Sequence, residues 1–222
     1  YHKWKNLIHG FEPMAANQLW AADITYIMLN NGDVCYLHLI TDAYSRMIVG
    51  WELADTLRAS ITIKALEQAI SQTGGVSLEG LIHHSDRGVQ YCCDDYVRTL
   101  QTHKIKISMT EDYNPTDNAI AERANGVIKT ETVYSRKTFN SLEHARNVIG
   151  RFIHFYNYRR PHMSIGYKIP AVVHTETGPQ KKMWKKNNYP KKAYNNGNNE
   201  ISLPCQTTGA DDGCNHHTVY SI

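Results

Sequence analysis

Residues 20–53, WAADITYIMLNNGDVCYLHLITDAYSRMIVGWEL, contain three segments with the composition of β-strands. Each segment is rich in aromatic and β-branched residues, which favour strands. The turn signal NNGD at residues 30–33 joins the first two segments, and a polar turn over residues 41–46 joins the last two. The stretch therefore predicts a three-stranded meander. Its strands are predicted over residues 20–29, 34–40 and 47–53.

Helices and short strands are predicted to alternate after the meander. Ser60 can cap the first helix and Gly74-Gly75 can end it. A meander followed by this alternation predicts an α/β fold, in which a mixed five-stranded sheet is flanked by helices. The predicted helices cover residues 61–70 and 93–102, and the predicted strands cover residues 81–84 and 105–109.

Two amphipathic helices are predicted next. The first covers residues 119–132 and can be capped by Asp117 or Asn118. The second covers residues 142–156 and can be capped by Ser141. The face of the first helix opposite its apolar stripe carries Asn118, Glu122, Asn125 and Lys129.

Length and composition indicate one main domain with appendages. The chain has 222 residues, of which 41% are hydrophobic, and this is enough for a substantial core. We expect a lead-in over residues 1–16, a folded core with a helical extension over 17–171, and a basic Lys/Asn-rich tail over 172–222 that is disordered. The net charge of +3 is too small to indicate a polyanionic partner by itself.

Cysteine usage and hydropathy favour a cytoplasmic setting without membrane contact. The five cysteines are odd in number, and we find neither an amino-terminal apolar signal nor an apolar run long enough to cross a bilayer. Zinc binding is not predicted, because the Cys and His residues lack paired ligand spacing. The residues considered for zinc are Cys92, Cys93, Cys205, Cys214, His216 and His217.

Three acidic residues lie where metal-binding carboxylates are expected. Asp23 interrupts an apolar strand, where a carboxylate is costly to bury unless it is paired or binds a cation. Asp86 follows a short strand, and ligands of open α/β sheets collect beyond strand ends. Glu122 lies one turn into a helix. Taken singly, each has a structural explanation: a hydrogen-bonded strand aspartate, a turn aspartate and a solvated glutamate.

Five stretches of the chain form an ordered series of motifs. They are WAADITYI around Asp23, ITDAYSRMIVGWE after it, HHSDRGVQY around Asp86, SMTEDYNPTDNAIAERANGVIKTE around Glu122, and FYNYRRPHMSIGYKIP beyond. Together they cover roughly residues 17–171, and 35 residues separate Asp86 from Glu122. In this order and spacing, the series resembles the integrase-like DDE transposases of bacterial insertion sequences, which share a ribonuclease H-like core with retroviral integrases.

The resemblance implies a triad, a cofactor and a reaction. Asp23, Asp86 and Glu122 would be the DDE residues and would bind two Mg²⁺ ions, with Mn²⁺ as a substitute. Two such ions about 3.5 to 4 Å apart stabilise the entering and leaving oxygens of an in-line displacement. The implied reaction is hydrolysis that exposes a 3′-hydroxyl of the mobile element, followed by attack of that hydroxyl on a target phosphodiester. The implied partners are double-stranded DNA and further copies of the chain, because two element ends must meet.

Several polar residues are candidates for DNA contact. Lys129 lies seven residues after Glu122 on the same helix face, and Asn118 and Asn125 flank that surface. Arg159 and Arg160 follow the helix predicted over 142–156, where contact with a DNA backbone and a solvated helix end are both reasonable interpretations.

Other acids and histidines have simpler explanations. Asp42 and Asp55 are not included among the ligands, since side-chain to backbone bonding in a turn accounts for Asp42. His83 and His84 are expected to pack or to form hydrogen bonds.

Two alternative functions stay open. One is a nuclease of the same fold that only hydrolyses DNA, and the other is a DNA-binding remnant of a mobile element without turnover. Members of the resembled family commonly carry an upstream helix-turn-helix region. No such region fits before Trp20, so we do not expect this chain alone to recognise element ends.

Overall fold

A mixed sheet of five strands lies at the centre of the part of the chain that the structure describes. A computed structural model describes residues 4–111, 118–133 and 139–180. The strands are β1 Leu19–Met28, β2 Val34–Asp42, β3 Ile48–Ala54, β4 Ile82–Ser85 and β5 Lys106–Met109. They lie in the order β3-β2-β1-β4-β5. The predicted meander and the two later strands are confirmed, and their bounds differ from the predictions by two residues at most.

Strand β1 lies at the centre of the sheet. It pairs antiparallel with β2 along its length, with Asp23 opposite Leu39. On its other side it pairs in parallel with β4, but only from Leu19 to Ala21. Beyond Ala21, therefore, β1 has a neighbouring strand on one side alone within the described residues, and this is where Asp23 lies.

Helices cover both faces of the sheet. They are α1 Ala59–Gln72, α2 Asp94–Thr102, α3 Ala119–Ile128, α4 Leu142–Tyr158 and α5 Pro170–Val173. One core, around the fully buried Trp20, Leu66 and Leu100, joins the sheet to α1 and α2. A second core, which includes Leu37 and Ile149, joins the opposite face to α3 and α4. These observations confirm the predicted α/β class.

The helix ends agree only partly with the predictions. Ser141 caps α4 as predicted, since its side chain accepts a hydrogen bond from the His144 amide at 3.1 Å. The Ser60 cap is wrong, because α1 starts two residues earlier and Arg58 occupies its cap position. Helix α3 stops at Ile128 and continues as a π-helical turn over Lys129–Val133. The predicted cap Asp117 lies outside the described residues.

Gly50 on β3 allows α1 to pack directly on the sheet. A Cβ atom placed on Gly50 would lie 2.1 Å from the main-chain oxygen of Ala65 and 3.0 Å from the Cβ of Ala69. Real atoms do not approach this closely, so the helix can sit at its observed height only above a glycine.

The first residues of the predicted tail pack against the core. Val173 in α5 is fully buried. The amide of Gly178 donates to the Met14 carbonyl at 2.7 Å, and the Tyr44 hydroxyl donates to the Gly178 carbonyl at 3.0 Å. The rest of the predicted tail, from residue 181 onward, lies outside the described residues and includes Cys205, Cys214, His216 and His217. None of the helices in the described part is both long enough and apolar enough to span a bilayer.

Candidate active site around Asp23

Asp23 lies partly buried on the α3 side of β1. Its Oδ2 accepts a hydrogen bond of 2.6 Å from Nδ2 of Asn125. Burial raises the pKa of Asp23 to about 6; hydrogen bonds from Asn125 and the Ile24 amide oppose this shift, whereas the negative charges of Asp86 and Glu122 add to it. The Asp23 carboxylate is therefore close enough to the other two acids to be affected by their charge.

The sheet register brings Asp86 beside Asp23. Ala21 of β1 is level with His84 of β4 in a parallel pair, and each aspartate lies two residues beyond this pair. Asp86 is exposed, and its Oδ1 accepts a 2.8 Å hydrogen bond from the Gly88 amide. A Cβ on Gly88 would lie 2.9 Å from that oxygen, so glycine there permits the tight turn that orients Asp86.

Two buried asparagines tie α3 to β1 on either side of Glu122. Nδ2 of Asn118 donates to the Ala22 carbonyl at 3.1 Å, and Nδ2 of Asn125 donates to Asp23. Asn118 and Asn125 are only 6% and 4% exposed, whereas Glu122 is exposed in the first turn of α3. The structure thus places the asparagines against the strand rather than on an open polar face, while DNA contact by them stays a prediction.

The surroundings of Asp23 are rich in oxygen atoms. Oδ1 of Asn118 and Oδ1 of Asn125 are both buried without a hydrogen-bond partner in the described part of the chain. Together with three carboxylates, these oxygens are the hard donors that Mg²⁺ prefers. The residues therefore fit a divalent cation by their chemistry.

The three acids do not form a closed metal site. Among the described residues, no three His, Cys, Asp or Glu side chains lie close enough together to hold one ion.

Lys129 lies on the π-helical turn that follows α3. Its Nζ is 4.2 Å from the centre of the Tyr26 ring, which is 59% exposed on β1. This is a cation–π contact. Tyr26 was not among the predicted site residues, although an aromatic residue three positions after the strand aspartate could have pointed to it.

The two arginines after α4 differ in their surroundings. Arg159 is exposed. Arg160 forms a forked ion pair with Glu131, in which Nη2 lies 2.5 Å from Oε1 and Nε lies 3.1 Å from each carboxylate oxygen. The positive charge of Arg160 is thus already shared with an acid, and contact of either residue with DNA stays a prediction.

The residues given simpler explanations behave as expected. Asp42 is fully buried and accepts hydrogen bonds from the Asn17, Tyr44 and Ser45 amides. His83 is bonded to the Tyr96 hydroxyl at 2.8 Å, and burial lowers its pKa to about 3. Nδ1 of His84 is 2.8 Å from Oγ of Ser108.

Similar proteins carry the same core. Residues 13–115 and residues 103–170 match two family descriptions, both named Integrase core domain. A Mycobacterium tuberculosis relative, named as a transposase for the insertion sequence element IS986/IS6110, is 38% identical over 165 residues, which are 73% of this chain and 59% of the relative. The transposase InsF of Escherichia coli, for insertion sequence IS3A, is 32% identical over 168 residues, which are 75% and 57% of the two chains.

The fold also matches that of a solved viral enzyme. The integrase catalytic core domain of HTLV-2, in complex with magnesium, superposes with a TM-score of 0.58 at 20% identity, covering 73% of this chain and 99% of that one. The sheet and its flanking helices are therefore ribonuclease H-like. The present chain spans less than two thirds of the length of the transposase relatives described above.

Proposed function

The chain belongs to the integrase core domain family, in the branch of insertion-sequence transposases, and we propose that it catalyses DNA 3′-end cleavage and strand transfer with Asp23, Asp86 and Glu122. The observation that supports the residue assignment is that three acids from separate elements lie near one end of β1. Asp23 belongs to β1, Asp86 directly follows the strand that pairs with β1, and α3, which carries Glu122, is bonded to β1 through Asn118 and Asn125. Burial is the main cause of the raised pKa of Asp23, and the charges of the other two acids add to it. Like charges gathered around a partly buried carboxylate favour a cation-binding role.

Divalent metal would be held by the three carboxylates, with the Glu122 side chain turning toward Asp23. When bound, two Mg²⁺ or Mn²⁺ ions supply Lewis-acid stabilisation of the oxygens that enter and leave at phosphorus. Asn125 holds the Asp23 carboxylate in place, and the Gly88 amide does the same for Asp86. Their contribution is orientation, since a ligand that is already positioned loses little freedom on binding.

Lys129 contributes positive charge near β1. Its contact with the Tyr26 ring keeps the ammonium group near β1 while leaving it open to further partners. Phosphates of a DNA strand that enters the site would meet this charge. Double-stranded DNA and further copies of the chain are the proposed partners, and the cytoplasm of a bacterium is the proposed location.

Asp23→Asn is expected to stabilise the metal-free protein at pH 8. The unfolded pKa of Asp23 is near 3.8 and the folded value is about 6, so holding the charged form in the fold costs free energy. That penalty is absent below the unfolded pKa, grows as pH rises through the window between the two values, and is complete above the folded value. One pKa unit corresponds to about 1.4 kcal/mol, and because Asp23 is only partly buried we expect a gain of about 1 to 2 kcal/mol.

Urea denaturation in EDTA at pH 8 and at pH 4 measures this effect. The gain in the free energy of unfolding should be present at pH 8 and fall to a small fraction of that value at pH 4. Adding Mg²⁺ at pH 8 should raise the stability of the parent and leave that of Asp23→Asn unchanged, because binding to the native state stabilises it. A parent protein whose stability does not respond to Mg²⁺ or Mn²⁺ would contradict the proposed metal site without any measurement of activity.

A strand-transfer assay separates the proposed function from its alternatives. The protein, supplemented with the upstream region of a full-length relative, is incubated with labelled element-end DNA and Mg²⁺. Joined end–target products indicate a transposase, shortened ends alone indicate a hydrolytic nuclease, and DNA binding without either product indicates a silent remnant.

A further inference from the structure

A cavity lies on the side of α3 away from Asp23. Its volume is about 620 Å³, within the range of sites for small organic ligands. It is bounded by α3, the turn between β2 and β3, the end of α4 and the loop that follows α4. Neither the carboxylates nor Lys129 line it, so it is separate from the proposed active site.

Three arginines from different elements line this cavity. Arg46 comes from the turn after β2, Arg123 from α3 and Arg160 from the loop after α4. Arg160 is paired with Glu131. Among the described residues, neither Arg46 nor Arg123 has an ion-pair partner, and the Nε of Arg46 is buried without a hydrogen bond.

The nearby acids leave positive charge uncompensated. Asp42 lies close enough to Arg46 to act on its charge, but its oxygens already accept hydrogen bonds from the amides of Asn17, Tyr44 and Ser45 and from the Ser45 hydroxyl. Glu131 is engaged with Arg160. The buried Nε of Arg46 is costly without a partner, and Arg123, which is exposed, adds a second guanidinium without an ion-pair partner among the described residues, so the cavity favours an anion that enters from outside.

The arginine charges converge on two neutral rings. His162 and Tyr156 stack edge to face with ring centres 4.3 Å apart, and both line the cavity. Burial and, to a smaller extent, the charges of Arg160, Arg46 and Arg123 together lower the pKa of His162 to about 4, with Glu131 opposing them. His162 is therefore neutral at pH 7, and all three positive charges act at the same place.

The remaining wall is apolar and partly strained. Ile120, Ala124 and Val127 of α3 line it, and the exposed ring of Tyr167 stands at its edge. Arg46 and Tyr167 both adopt positive φ, at 68° and 61°, a conformation that costs residues other than glycine roughly 1 kcal/mol or more. Such strain is concentrated at ligand sites, because folding alone gains nothing from it.

We propose that this cavity binds a nucleoside phosphate, with the phosphate on Arg46 and Arg123 and the base against the apolar wall and Tyr167. Arginine pairs present forked donors that match phosphate oxygens. Aromatic and aliphatic surface beside them suits the flat face of a base. A carboxylate side chain would occupy only a small part of about 620 Å³ and would leave the apolar wall wet. The phosphate can belong to a free nucleotide or to a nucleotide of a DNA strand.

Calorimetric titration of the full chain in EDTA and low salt tests this proposal. The probes are dAMP, deoxyadenosine without phosphate, and a single-stranded tetranucleotide. We expect dAMP to bind the parent, deoxyadenosine to bind at least about tenfold more weakly, and Arg46→Gln and Arg123→Gln each to weaken dAMP binding about tenfold or more. The matched control is Arg98→Gln, which removes an exposed arginine paired with Asp95 on α2 and should leave binding unchanged.

The outcomes distinguish a DNA strand from a free nucleotide as the source of the phosphate, and they test whether binding is specific to this cavity. Tighter binding of the tetranucleotide than of dAMP assigns the site to a DNA strand, and the reverse assigns it to a free nucleotide. The proposal is overturned if no probe binds, if Arg98→Gln weakens binding as much as Arg123→Gln, or if a glutamate-rich peptide displaces dAMP at lower concentration than phosphate does. Arg123 is exposed, so its variant decides the matter even if Arg46→Gln fails to fold. None of these measurements uses metal or strand transfer, so they stand apart from the test of the active site.

Discussion

Glu122→Gln should reduce strand transfer by about a thousandfold or more while leaving the fold intact. The substitution removes one negative charge from the proposed cation site and keeps the size and polarity of the side chain. Loss of one preorganised electrostatic contributor commonly costs 10²- to 10³-fold, and loss of a metal ligand also removes the charge that attracts the ion. Because Glu122 is exposed, the free energy of unfolding of the variant should lie within about 0.5 kcal/mol of that of the parent.

The measurement is the yield of joined product from labelled element-end DNA in Mg²⁺ and in Mn²⁺. Glu67→Gln is the matched control, since Glu67 is an exposed glutamate on a helix that packs on the opposite face of the sheet. Equal product from Glu122→Gln and the parent would remove Glu122 from the triad. Equal loss in Glu67→Gln would show that the effect is not specific to the site.

Gly50→Ala is expected to destabilise the fold by about 3 kcal/mol, a large effect for the addition of one methyl group. The new Cβ would overlap the main-chain oxygen of Ala65, and an oxygen fixed in the helix backbone cannot rotate away as a side chain can. Helix α1 would have to lift from β3, which opens space throughout the first core. Urea denaturation, monitored by circular dichroism, measures the loss of unfolding free energy.

Gly126→Ala is also a glycine-to-alanine substitution, but it is expected to stabilise the fold. Gly126 lies within α3, and a Cβ placed there would have no other atom within 4 Å. Alanine should therefore stabilise α3 by about 0.5 to 1 kcal/mol, because glycine loses more backbone freedom in a helix. If both alanines had the same effect on stability, the close packing of α1 on Gly50 would not be the cause.

Local signals in the sequence predicted most of the fold. Strand composition and the NNGD turn located β1 and β2, and Ser141 marked the start of α4. Errors arose where distant contacts override local preference. Asn118 has the chemistry of a cap residue, yet its side chain bonds the Ala22 carbonyl, 96 residues away. No periodicity on α3 reveals which polar residue meets the edge of β1.

The candidate site was predictable to different degrees. The expectation that a carboxylate on an apolar strand is unusual agrees with the partial burial and raised pKa of Asp23. The position of Asp86 follows from strand pairing, which the sequence indicates only roughly. Glu122 was chosen by resemblance, and its role stays a prediction. The arginine-lined cavity was missed, because Arg46, Arg123 and Arg160 converge only after folding.

The three acids stand on parts of the fold with unequal local stability. Asp23 belongs to β1, which pairs with β2 along its length and with β4 at its start. Glu122 belongs to the first turn of a helix whose start has no side-chain cap. Amide hydrogens of β1 should therefore exchange with solvent slowly, near the rate of global unfolding, whereas those of the first turn of α3 should exchange through local opening. Binding of metal and DNA at the proposed site would then register as exchange protection in α3, because a bound ligand stabilises the native turn that carries Glu122.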